Sequence, residues 1–116
     1  MNMLIKNPTF RFLHKDSKVY YISKKGVCFG TNEYLTVPVQ LNSNCTNCLV
    51  GYTNKLIADS TVSKLSRPND VSICDTSCKE LQYISSILGI PLVVLMESPN
   101  DIFYNYKNKT KHQRES

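Results

Sequence analysis

No stretch of this sequence stays apolar for long. The longest such run, Ile90 to Met96 ("IPLVVLM"), falls far below the ~20 residues that a membrane-spanning helix needs. The opening "MNMLIKNPTF" is apolar over only a few residues, too few for a signal-peptide core. These two absences lead us to expect a soluble, cytoplasmic protein without a membrane partner. Triplets of the glycosylation type at Asn44 and Asn108 then carry no weight. The familiar catalytic and nucleotide signatures are missing too: no Walker A, no G-x-G-x-x-G, no G-x-S-x-G and no H-E-x-x-H. Histidine is scarce, with His14 at the end of an extended stretch and His112 near the end of the chain. Acid–base chemistry has little to draw on, and the expectation leans away from an enzyme.

What is present suits a small globular domain. A chain of 116 residues, 41% hydrophobic and 20% charged, has ordinary composition and is long enough to bury a core. Its five cysteines are an odd number, unlike the even set of a secreted disulfide framework. The net charge of +5 is uneven. Residues 105–116 hold Lys107, Lys109, Lys111 and Arg114 against Glu115, leaving the body only mildly basic. We therefore expect one α+β domain over residues 1–104, followed by a basic, flexible tail over 105–116.

The front half reads as an antiparallel β-meander. "TFRFLH" alternates, with Phe10 and Phe12 on one face and Arg11 on the other. "KDSK" is a turn, "VYYIS" a strand, and "KKG" a hairpin leading into "VCFG". "YLTVPVQL" is extended, with Pro38 favouring an edge or a bulge. Residues 53–66 are ambiguous, because Ser and Thr dilute a partly helical spacing. The last third predicts a βαβ unit: a strand over 71–74, a helix over 76–88 and a strand over 91–96. Leu81, Ile84, Ile87 and Leu88 form the helical stripe, Gly89 is the C-cap, and Pro91 stops the helix.

Two close cysteine pairs raise the question of zinc. Cys45 and Cys48 form C-x2-C in a polar stretch, and Cys74 and Cys78 form C-x3-C where strand meets helix. If the first pair sits on a turn, both sulfurs can point inward, and a helix start favours thiolate at Cys78. Four thiolates would make a closed, structural zinc site. A turn pair followed by a helix-start pair resembles the treble clef of small zinc proteins. The plainer alternative is four inert thiols, some of them core filler.

Two further surfaces are candidates. Asp75, Thr76 and Ser77, at a strand end and ahead of a helix, suit a phosphate or carboxylate ligand, or simply cap the helix. Phe12 and Tyr20, edged by Lys18, Lys24 and Lys25, could stack bases and meet phosphates, with Lys107, Lys109, Lys111 and Arg114 of the tail assisting. The competing use of those aromatics is as a core face. Asp75, Glu80, Leu81, Gly89 and Pro91 resemble one βαβ unit of nucleoside deoxyribosyltransferase-like proteins, which implies a nucleoside ligand. "GYTNK" and the Asp-x-Ser at a strand end are similar to a group of ribosomal RNA binders. Each likeness covers less than half the chain, and βαβ units serve many functions, so neither is taken as membership. The leading expectation is a non-enzymatic binding protein, zinc-stabilised, that occupies a nucleic acid or a protein partner. The alternative is a nucleotide- or nucleoside-handling protein using residues 74–78.

Overall fold

In the computed structural model, the described residues are 3–24, 34–98 and 100–105. They form a mixed α+β fold of eight strands and two helices. The strands are β1 (Met3–Ile5), β2 (Thr9–Phe10), β3 (Lys18–Lys24), β4 (Thr36–Leu41), β5 (Asn44–Tyr52), β6 (Val71–Ser77), β7 (Leu92–Leu95) and β8 (Asp101–Asn105). The helices are α1 (Lys55–Ser63) and α2 (Cys78–Leu88), with a short 3-10 turn at Pro68–Asp70.

β5 is the hub. One of its sides pairs with β7, in parallel, over Leu49 to Tyr52. The other side forks: Asn44 to Leu49 meet β4, and Gly51 and Tyr52 meet β3, both antiparallel. β3 in turn pairs with β6 along all seven residues, from Lys18↔Ser77 to Lys24↔Val71. β8 and then β2 follow β7, and β1 lies outside β4. The antiparallel expectation for the front half holds where β4 meets β5. β1 and β2 instead pair in parallel with β4 and β8, partners far along the chain.

β5 and β6 both oppose β3, so β5, β6 and β7 all point the same way. The chain passes from β5 through α1 to β6, then returns through α2 to β7. Two crossovers of one hand that travel in opposite directions place their helices on opposite faces. The core divides accordingly. Cys48, Val50, Tyr52 and Ile22 pack with Ala58 of α1. Val19, Tyr21, Leu49 and Leu92 pack with Cys78, Leu81 and Ile84 of α2.

The strand–helix–strand unit is present, with shifted boundaries. β6 extends through Ser77 instead of ending near residue 74, because β3 supplies a partner at every position. Ser77 then caps α2, its hydroxyl accepting from the Glu80 N–H at 3.1 Å. Gly89 closes the helix at φ 73°, a left-handed conformation that costs glycine little. β7 is Leu92–Leu95, and its first three residues are fully buried. α1 resolves the ambiguous stretch: Asn54 caps it by accepting from the Leu56 N–H at 2.9 Å.

"TFRFLH" does not form one strand. Only Thr9 and Phe10 pair, with Asp101 and Ile102, and the chain then leaves the sheet. Pro38 lies inside β4, just before the Val39 to Leu41 segment that β1 covers. "VCFG" and the tail from residue 106 onward lie outside the described residues.

Candidate functional site

Residues 11–17 form a strap across the α2 side of the fold, and its fixed points are explicit. Leu13 packs into the cluster beneath α2. The Ser17 carbonyl accepts from the Cys78 N–H at 2.9 Å, and the Lys15 carbonyl from the Lys79 N–H at 2.8 Å. A turn closes between, with the Ser17 N–H donating to the His14 carbonyl at 3.0 Å and the Asp16 N–H to His14 Nδ1 at 3.1 Å. At the other end, Arg11 N–H donates to the Ile102 carbonyl at 2.8 Å, and its side chain meets Asp101 at 3.4 Å.

Phe12 sits between these anchors and is 84% exposed, the highest value among the large hydrophobic side chains described. Phe10 is exposed as well and lies 6.2 Å, ring to ring, from Tyr104. Lys15 and Lys79, joined through their backbones, are both exposed. An aromatic side chain held outward on a pinned segment, with exposed lysines on that segment and on the helix it is bonded to, is a surface that can stack a flat ring and meet an anion.

The other predicted contact residues are dispersed. Lys18 is exposed and pairs with Asp75 at 3.5 Å. Tyr20 is half-buried and packs against the α1-side core. Lys24 is exposed at the far end of β3. Lys25, Lys107, Lys109, Lys111 and Arg114 lie outside the described residues. Phe10, Lys15 and Lys79 were missed by sequence reasoning. Their one available signal was that "TFRF", between Pro8 and a turn, is too short for a strand that buries both Phe rings.

Asp75, Thr76 and Ser77 do not form a loop. All three belong to β6. The first three amides of α2, at Cys78, Lys79 and Glu80, donate to the Ser17 carbonyl, the Lys15 carbonyl and the Ser77 hydroxyl. An anion at a helix N-terminus needs those donors free. Here the chain itself has taken all three, the strap accepting from two and the Ser77 side chain from the third.

The four cysteines do not come together. The hairpin turn falls at Asn42–Ser43, with Asn42 at φ 56°, so Cys45 and Cys48 both lie in β5. Residues three apart on a strand point to opposite faces. Cys48 is buried on the α1 side, whereas Cys74 and Cys78 belong to the α2 side, and Cys45 is exposed. Burial pushes the Cys78 thiol pKa up, against the pull of the helix dipole. Cys74 sits 3.5 Å from the Ser23 hydroxyl and beside Tyr21, whose pKa rises through burial first and Cys74 second. Among the described residues no group of three or more His, Cys, Asp or Glu side chains is placed to hold a metal ion.

Comparison with protein-family models gives no match, and no curated protein or solved structure matches the chain significantly. Nor, among the described residues, is any helix long and apolar enough to cross a membrane.

Proposed function

We propose that this protein acts by binding, and that its ligand is single-stranded nucleic acid held on the residue 11–17 strap. Phe12 is the stacking platform, with Phe10 as a second ring. Lys15, Lys79 and Lys18 meet phosphates, and the lysines of residues 107–111 add charge. The observation that carries this reading is the exposure of Phe12 on a segment fixed at both ends. A core residue would have turned inward, as its neighbour Leu13 does. The saturated amides of α2 favour this surface over a nucleotide site at residues 74–78.

Fluorescence anisotropy with a labelled single-stranded oligonucleotide tests it. Phe12→Ala should weaken binding by about tenfold or more, since a stacked base is worth roughly 1–3 kcal/mol. Lys15→Ala with Lys79→Ala should flatten the dependence of log affinity on log salt. Undiminished binding by Phe12→Ala, or no binding at low salt, would overturn the proposal.

A further inference from the structure

Among the described residues β6 is an edge strand paired only with β3, and its outward groups follow from that pairing. Among the described residues, no backbone group outside β3 bonds to the strand between Val71 and Asp75. The Leu35 N–H donates to the Ile22 carbonyl at 2.9 Å, on the side of β3 away from β6. Polar groups alternate along an antiparallel strand. Ser72, Cys74 and Thr76 therefore bond with β3, and Val71, Ile73 and Asp75 turn their N–H and C=O groups outward. The other edges are guarded. β1 has three residues followed by Lys6, and β2 has two preceded by Pro8. β6 has seven, with neither lysine nor proline among them. Monomeric proteins rarely leave such an edge unprotected.

We propose that β6 pairs with β6 of a second copy of this chain, antiparallel, across a two-fold axis at Ile73. Such an interface matches outward residues only with outward residues. Charge then selects the register. An axis at Asp75 sets two carboxylates face to face. An axis at Cys74 sets Asp75 against Ile73, whose in-sheet neighbour is Ile22. An axis at Ser72 leaves Asp75 beyond the partner strand. The axis at Ile73 sets Asp75 opposite Val71, and behind Val71, in register and on the same face, stands Lys24. Two strand spacings separate these backbones, about 10 Å, a span that a lysine and an aspartate side chain cover together. Each Asp75 thereby meets Lys24 of the second copy at both ends of the interface, with the two Ile73 side chains between. Lys18 lies 3.5 Å from Asp75 within the chain, an exposed pair that leaves the carboxylate able to take a second cation. Lys24 keeps the interaction it makes in its own chain.

Sedimentation equilibrium of the full chain decides the matter, with circular dichroism confirming that each variant is folded. The unaltered protein should be dimeric at about 100 μM, where a micromolar dimer is nearly complete. Asp75→Lys alone and Lys24→Asp alone should each raise the dissociation constant at least tenfold, by placing like charges together. An equimolar mixture of the two variants should restore the dimer, because both cross-axis pairs are then opposite in sign. Should Asp75→Lys fail to fold, Asp75→Asn serves in its place: it weakens the dimer, and mixing it with Lys24→Asp restores association only in part, because one of the two cross-axis pairs is then intact. A monomeric wild type, undisturbed association of either charge variant, or no recovery in the mixture would overturn the proposal. Its outcome is independent of nucleic-acid binding.

Discussion

Cys78 opens α2, where aligned peptide dipoles favour a thiolate, yet its side chain is wholly buried and its pKa is raised. Desolvation outweighs the dipole there, and the thiol behaves as a small apolar group. Cys48, 1% exposed in the α1-side core, does the same. Only Cys45 stands exposed among the cysteines described. Iodoacetamide labelling of a Cys28→Ser variant, followed by peptide mass mapping, should therefore modify Cys45 first and Cys74 more slowly. Cys48 and Cys78 should react only in urea. Labelling of Cys48 or Cys78 at the rate of Cys45 in the native protein would contradict their placement. The cysteine spacing in the sequence was real, but spacing does not reveal which face of a strand a sulfur takes. "NSNCTNC" reads as a turn because it is rich in Asn and Ser. The turn uses only Asn42 and Ser43, and pairing with β4 draws the rest into β5.

Among the elements, α2 and β7 were the most legible. Of the predicted stripe Leu81 and Ile84 are buried, Leu88 is half-buried and Ile87 faces outward; Gly89 and Pro91 mark the stop, and a continuous apolar run marks a strand covered on both faces. These signals are local, so a local reading finds them. The end of β6 was not legible, because the pairing that carries it to Ser77 comes from β3, more than fifty residues earlier. The same holds for β1 and β2, whose partners are distant, and for "TFRF", whose alternation suggested a strand where a strap occurs. In β5, Gly51 leaves little room between the sheet and α2. A Cβ at Gly51 would lie 3.0 Å from Leu81 Cδ1 and 3.4 Å from Val94 Cγ2. Gly51→Val adds two methyl groups to that Cβ and forces α2 off the sheet. We expect a loss of roughly 1–3 kcal/mol in urea denaturation, the range for an overpacked core. An unchanged midpoint would mean that α2 packs more loosely than these distances state.

For the whole molecule, the two proposed contacts use different parts of the fold. The strap with Phe12 and Lys15 lies on the α2 side beside Lys79, while β6, among the described residues, pairs only with β3. Two straps brought into one dimer would raise affinity for a strand long enough to reach both, through effective concentration and not through new contacts. We propose the strap as the contact surface. A two-dimensional NMR titration of the isotopically labelled protein with a short single-stranded oligonucleotide tests it most directly. Amide shifts should concentrate on Arg11 to Ser17 and Lys79, with little change along β7. Shifts centred elsewhere, or none at all at low salt, would contradict it.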